Sequence, residues 1–144
     1  MSEPTTPPGP RAIAEKVLDF GSRMDMDGLL GLMAPDGCIE WPYTPSGEWL
    51  RLRGRAQIAD FFDKAMQSPI RWDEFSDVVM HETSDPEVVI VEYESHGHLT
   101  STGGPFHQSV LMVLRVRDGH IVNYRDYLNP VKLINAGVVP PEPA

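Results

Sequence analysis

The sequence has one cysteine, few basic residues and no long apolar run. Cys38 alone cannot form an intramolecular disulfide or a multi-cysteine metal site, and we interpret it as a small buried strand residue. Twelve Lys and Arg face 21 Asp and Glu, giving a formal net charge of −9. This charge argues against nucleic acid binding, which needs a basic surface. No apolar run approaches the roughly 20 residues that cross a bilayer.

Motifs for nucleotide and serine hydrolase chemistry are also missing. The chain has no glycine-rich phosphate loop, no G-x-G-x-x-G and no G-x-S-x-G, so no cofactor is predicted. The first ten residues, MSEPTTPPGP, lack the basic start and apolar stretch of a secretory signal. We therefore expect a cytoplasmic protein that binds neither nucleic acid nor membrane.

Proline marks both ends of the chain. Half of the 14 prolines lie in residues 1–10 and 140–144, which predicts flexible tails there. The remaining residues, 11–139, form one predicted domain, the number expected for a chain of 144 residues.

Apolar spacing predicts three helices and six strands. Helical periodicity occurs in RAIAEKVLDFGSRM, DMDGLLGLM and RAQIADFFDKAMQ, and APDG at 34–37 is predicted to end the second helix. CIEWPY and WLRLRG are predicted as short strands, followed by a four-strand meander from WDEFSDVVMHET to HIVNYRDYLNP. This order predicts an α+β fold in which helices pack on one face of a curved antiparallel sheet.

The motifs G-R-x-x-I-x-x-F-F and D-G-x-I-x-x-Y-R-D-Y-x-N-P occur in this order of elements. Together they resemble the nuclear-transport-factor-2-like superfamily, which includes ketosteroid isomerases, limonene-epoxide hydrolases, SnoaL-type polyketide cyclases and the PhzA/PhzB proteins. The resemblance implies a cone-shaped, mixed sheet with three N-terminal helices on its concave face, enclosing an apolar pocket. It also implies a homodimer and a small hydrophobic ligand.

The proton-transfer residue predicted from this resemblance is Asp126. Ketosteroid isomerases carry a general-base Asp on the first strand before a proline, where this chain has Trp41. Glu40 is adjacent, but strand alternation points it to the other face. SnoaL-type and PhzA/PhzB proteins carry an acid late in the last strand, and Asp126 matches it. The alternatives for Asp126 are an ion pair with Arg125 or another arginine, or a solvated strand end.

Aromatic residues complete the predicted pocket. Tyr43 and Tyr93 are candidates to donate a hydrogen bond to an oxygen on which charge develops, although buried tyrosines also serve in packing. Trp41, Tyr124 and Phe62 are predicted to bind the substrate. For Trp41, packing in the core is an equal alternative.

The role of His107 depends on how two strands pair. An odd sum of paired residue numbers places His107 on one face with His98 and His96, where a metal site is feasible. An even sum places it with Tyr93 as an active-site base or proton shuttle. The loop TSTGGP supports either register. We expect even sums, because alternate polar residues are typical of a solvent or interface face, and hence a catalytic His107 and no metal.

Three functions are compatible with these features. The first is a cofactor-independent cyclase, isomerase or epoxide-opening enzyme that uses Asp126 on a small hydrophobic metabolite. The second is a non-catalytic binding or resistance protein with the same pocket. The third is a protein whose sheet only forms a homodimer.

Overall fold

The computed structural model describes residues 6–138 and contains one mixed six-stranded sheet with helices packed on it. The strand order is β2-β1-β6-β5-β4-β3, in which β1 and β6 are parallel and the other neighbours antiparallel. The elements in chain order are α1 Pro10–Ser22, α2 Met26–Leu32, β1 Met33–Trp41, β2 Leu50–Arg53, α3 Arg55–Ala65, β3 Ile70–Glu82, β4 Val88–Leu99, β5 Pro105–Arg117, β6 His120–Tyr127 and α4 Pro130–Asn135.

Alternating burial along the meander strands gives the sheet an inner and an outer face. On β4 the buried positions include Val89, Val91 and Tyr93, while Glu92 between them is exposed. Such alternation is expected of a sheet with one face in the core. The β5–β6 hairpin turns at Asp118 and Gly119, which have φ values of 53° and 77°, as a two-residue turn of this type requires.

Helices α1 to α3 cover the inner face. Ile13 and Val17 on α1 and Ile58 and Phe61 on α3 are buried in the same core as the inner side chains of the sheet. Asp25 caps α2 by accepting a hydrogen bond from the Gly28 amide at 2.9 Å, which satisfies one of the free N–H groups of the first turn. The expected α+β fold is confirmed.

Two local predictions are wrong. The segment 34–37, predicted to end a helix, lies inside β1, where the pairing with β6 shifts register between Met33 and Cys38. A fourth helix, α4, begins at Pro130, with Asn129 as its cap. The sheet curls but does not close into a barrel, since β2 and β3 remain edge strands.

The ends of the predicted domain are described only in part. The expected tail over residues 1–10 lies outside the described residues at 1–5, and the tail at 140–144 lies wholly outside them. Helix α1 begins at Pro10, and a Cβ on Gly119 would lie 3.1 Å from Pro8 Cδ, so the described start of the chain contacts the β5–β6 turn. None of the helices within residues 6–138 combines the length and apolarity needed to cross a membrane.

Candidate active site

A cavity of about 250 Å³ lies between the helices and the inner face of the sheet. Its wall combines residues from all three N-terminal helices with residues from five of the six strands. The residues that line it are Val17, Gly21, Met24, Met26, Leu29, Met33, Ile39, Trp41, Phe61, Phe62, Ala65, Met66, Ser68, Ile70, Trp72, Phe75, Tyr93, Ser95, Gln108, Val110, Ile121, Tyr124, Asp126 and Leu128.

Asp126 is the one charged residue among the described residues that line this cavity. No lysine, arginine or histidine lines the cavity within the described residues, and the other lining residues are mostly aliphatic or aromatic. Aromatic contacts hold the wall together: Trp41 packs on Phe61 at 5.1 Å between ring centroids, and Phe75 packs on Tyr93 at 4.8 Å. The cavity therefore offers an apolar environment with a single carboxylate.

The carboxylate of Asp126 is held from one side and unpartnered on the other. The indole Nε1 of Trp41 donates a hydrogen bond to Oδ2 at 3.0 Å. Oδ1 is buried and has no hydrogen-bond partner among the described residues. Burial raises the pKa of Asp126 to about 6, although the hydrogen bond from Trp41 acts in the opposite direction. An acceptor in this state can take a proton from a bound molecule near neutral pH.

Both alternatives for Asp126 are excluded by this geometry. Arg125 immediately precedes Asp126 on β6 and therefore points to the outer face, where it pairs with Glu40. The unpartnered oxygen of Asp126 is buried and does not lie in bulk solvent. A register shift between Arg115 and Val116 in the pairing of β5 with β6 changes which residue before Tyr124 faces inward. Ile121 is the residue in that part of β6 that lines the cavity.

Tyr93 and Tyr124 lie beside Asp126 in the cavity wall. Burial, and secondly the charge of Asp126, raise the pKa of Tyr93 well above its ordinary value, while the neighbouring Tyr124 acts in the opposite direction. Burial, Asp126 and Tyr93 all raise the pKa of Tyr124. Both phenols stay protonated at neutral pH and can act as donors.

Gln108 fixes the chain that follows Asp126. Its buried side chain donates from Nε2 to the Asn129 carbonyl and accepts at Oε1 from the Asn129 amide, both at 3.0 Å. The side chain of Asn129 in turn accepts from the Val131 amide at 3.0 Å and caps α4. This pair of bonds holds the end of β6, and hence the Asp126 backbone, against β5.

Glu40 lies on the outer face, as strand alternation predicts. Arg51 donates to it at 2.8 Å and Arg125 at 3.3 Å. Burial raises the pKa of Glu40, but hydrogen bonds from Arg51, Asn123 and Arg125 together lower it below its ordinary value. Glu40 is therefore an ionised structural partner of two arginines, and Trp41, in the adjacent position, orients Asp126.

The structure places Tyr43 outside the cavity, contrary to the prediction. β1 ends at Trp41, and Pro42 has no N–H with which to continue the ladder, so the alternation does not extend to Tyr43. The Tyr43 side chain is 59% exposed and packs edge-on against Tyr127, with 5.5 Å between ring centroids.

The expected register of β4 and β5 is wrong, and this removes His107 from the cavity. His96 pairs with His107 and Tyr93 with Val110, so the paired numbers sum to odd values. Residues paired across two strands share a face, and His107 therefore lies on the outer face. There its Nε2 is 2.6 Å from Glu94, its Nδ1 is 3.2 Å from Lys132 Nζ, and its ring stacks on His96.

The histidines on the outer face are paired with separate neighbours. His96 contacts Ser76 at 2.8 Å and His98 contacts Asp73 at 3.0 Å. The part of the chain from 6 to 138 contains no group of three or more His, Cys, Asp or Glu arranged to hold a metal ion.

The structure also places in the wall several residues that were not predicted as site residues. Trp72 and Phe75 on β3 and Phe61 on α3 are examples. Three methionines, Met24, Met26 and Met66, lie at helix ends around the cavity. Their long, unbranched side chains adapt to a ligand. Phe61 lies in the predicted helix RAQIADFFDKAMQ, but no sequence pattern distinguishes a residue that fills a core from one that lines a cavity.

Comparison with known proteins agrees with this architecture. A family model for the SnoaL-like domain matches residues 14–124. The uncharacterised protein YesE of Bacillus subtilis is 34% identical over 116 residues, 81% of this chain and 78% of that protein. The uncharacterised PhzA/B-like protein PA3332 of Pseudomonas aeruginosa is 37% identical over 115 residues, 78% of each chain.

Solved structures show the same fold. A candidate isomerase from Bacillus subtilis has a TM-score of 0.80 and 31% identity, with 88% of this chain and 91% of that chain covered. A candidate polyketide cyclase from Xanthomonas campestris has a TM-score of 0.73 and 24% identity, with 87% and 93% covered. The chain therefore belongs to the SnoaL-like domain family of the nuclear-transport-factor-2-like superfamily.

Proposed function

We propose that this protein is a cofactor-independent enzyme that isomerises, cyclises or opens an epoxide of a small hydrophobic metabolite. The observation that carries the proposal is the unpartnered, buried Oδ1 of Asp126 in an apolar cavity. A carboxylate is costly to bury without a full set of partners, and raised carboxyl pKa values are typical of groups that transfer protons. The relatives named as a candidate isomerase and candidate polyketide cyclases support this class of reaction.

In the proposed reaction, Asp126 removes a proton from the carbon next to a carbonyl group. The Tyr93 hydroxyl donates a hydrogen bond to the carbonyl oxygen as the enolate forms, which stabilises the developing negative charge. In an isomerisation, Asp126 returns the proton to a different carbon. In a cyclisation, the enolate carbon bonds to a second carbonyl carbon, and Asp126 gives its proton to the resulting alkoxide. Each route conserves protons and electrons.

Hydrogen exchange tests this proposal without knowledge of the natural substrate. We expect the protein to accelerate exchange of the α-protons of 1-tetralone in D₂O, measured by proton NMR. Asp126→Asn should abolish the acceleration because the amide cannot accept the proton. Asp73→Asn is the matched control: Asp73 is an exposed acid on the outer face, and this variant should exchange at the wild-type rate. Equal exchange by Asp126→Asn and the wild type would refute the role of Asp126.

A non-catalytic binding or resistance protein is the second candidate. The observation that favours it is the largely apolar wall, which suits retention of a hydrophobic compound as well as its conversion. Saturable binding of 1-tetralone with no exchange, and no product from ketone or epoxide substrates, would favour this candidate over the enzyme.

The homodimer implied by the family resemblance remains a prediction. We propose that it forms through the outer face of the sheet, where Val79 of β3 pairs with the exposed Glu92 and is itself 48% exposed. Sedimentation at micromolar concentration tests it, and a monomer there would contradict it.

A further inference from the structure

We infer that the cavity selects a neutral compound with one ring or two fused rings and a single polar end. This inference rests on the proposed function, because it takes the molecule that fills the cavity to be the substrate. Size, charge and the position of the polar groups each limit the ligand independently.

The volume limits the size of the ligand. An apolar cavity of about 150 Å³ accommodates benzene, with its six carbons, so about 250 Å³ accommodates on the order of ten to twelve non-hydrogen atoms. A four-ring skeleton has roughly twice that number and would not be enclosed. The aromatic walls, including Trp41, Phe61 and Trp72, suit a flat ring.

The charge distribution excludes an anionic ligand. No basic side chain lines the cavity within the described residues, and the nearest carboxylate, Asp126, repels a second negative charge. Arg125, which follows the inward-facing Tyr124 on β6, pairs with Glu40 on the outer face and cannot compensate. An anion transferred into this cavity would lose its hydration without gaining an opposite charge.

The polar groups that remain free lie at one place. Ser95 donates to the Gln108 carbonyl at 3.2 Å, and both ends of the Gln108 amide bind Asn129. This leaves Oδ1 of Asp126 as the buried oxygen of the wall that has no partner among the described residues, and the phenols of Tyr93 and Tyr124 lie in the same wall. A single ligand hydroxyl can donate to Oδ1 of Asp126 and accept from a phenol, a ligand carbonyl can accept from a phenol, and further polar groups would face the apolar wall.

Isothermal titration calorimetry at pH 8 tests the charge limit with an isosteric pair. Benzamide and benzoate have the same number of non-hydrogen atoms and differ in charge. We expect wild-type protein to bind benzoate at least about tenfold more weakly than benzamide, since like charges repel strongly in an apolar site. In Asp126→Asn this difference should shrink by about tenfold, whereas Asp73→Asn should keep it. Equal binding of the two compounds by the wild type would overturn the inference.

A ring series tests the size limit. We expect binding of 1-tetralone, weaker binding of the three-ring ketone anthrone, and none of androstenedione, which has four rings. Met66→Ala enlarges the cavity at a half-buried position and should improve anthrone binding by about tenfold. Tighter binding of androstenedione than of 1-tetralone, or no saturable binding of any neutral ring compound, would overturn the inference. Selective binding without hydrogen exchange would count against the proposed enzyme only.

Discussion

The indole of Trp41 donates a hydrogen bond to the carboxylate of Asp126, 3.0 Å away. The two residues are 85 positions apart in the sequence, and their bond links the neighbouring parallel strands β1 and β6. The contact with Trp41 stabilises the ionised form of Asp126 and fixes which oxygen is left free. The two residues therefore form one unit, with Trp41 as a positioning residue for the group that we propose transfers the proton.

Removal of this hydrogen bond should shift the pH dependence of activity. Asp126 has a pKa of about 6, so hydrogen exchange by the wild type should rise with pH through about 6 as the carboxylate forms. Trp41→Phe removes the contact that lowers the pKa, and the rise should move to higher pH. The measurement is a pH–rate profile for 1-tetralone exchange, with Trp72→Phe as control. An unchanged midpoint in Trp41→Phe would contradict the role of the indole.

The buried carboxylate should destabilise the folded protein at neutral pH. The folded pKa of Asp126 lies above its ordinary value of 3.8, so the folded state binds the proton more tightly and stability falls as pH rises from about 4 to about 6. Between these values the loss is about 2–3 kcal/mol, at about 1.4 kcal/mol per pH unit. Asp126→Asn should therefore unfold at a higher temperature than the wild type at pH 7.5.

Thermal unfolding at pH 7.5 and near pH 4 checks this prediction. The advantage of Asp126→Asn should shrink at the lower pH, where the wild-type carboxyl is mostly protonated. Asp73→Asn should show no such gain, because Asp73 is exposed beside His98. A variant that is less stable than the wild type at pH 7.5 would show that the carboxylate stabilises the fold.

The two hydrogen bonds between the Gln108 side chain and the Asn129 backbone should contribute to both stability and the proposed catalysis. Gln108→Leu removes two hydrogen bonds to Asn129 and leaves its backbone groups unpaired, which costs about 1–3 kcal/mol per group where it is buried. Gln108→Glu retains an acceptor for the Asn129 amide and should lose less. The measurements are the free energy of unfolding and the exchange rate of 1-tetralone. Full activity and stability in Gln108→Leu would contradict a role for these two hydrogen bonds at the site.

Much of the fold could be predicted because local signals agree with it. Alternating apolar residues and turn residues predict β3 to β6 within two or three residues of their observed ends, and the helical spacing of apolar residues predicts α3. The missed helix, α4, also had a signal, since Asn129 followed by Pro130 is a typical cap and first position of a helix. The predicted last strand, HIVNYRDYLNP, includes Pro130, whereas in the structure this proline begins α4.

The site could be predicted only in part, because it depends on register. The family motif identified Asp126, and alternation put Glu40 on the opposite face. For His107, sequence alone allowed both parities, and the long β4–β5 loop fixed neither. The bond between Trp41 and Asp126 joins distant strands and depends on their pairing, so no local pattern could reveal it.

The observed positions of His107 and Tyr43 predict that neither side chain takes part in proton transfer. Both side chains lie outside the cavity, so His107→Ala and Tyr43→Phe should each retain exchange activity within about twofold of the wild type, because ordinary surface changes have small effects. Tyr93→Phe is the contrasting variant, since it removes a donor inside the cavity, and its rate should fall by about tenfold or more. The measurement is again α-proton exchange of 1-tetralone at pH 7.5, with folding checked by circular dichroism. A large loss in His107→Ala, with Tyr93→Phe unaffected, would mean that proton transfer occurs on the outer face of the sheet.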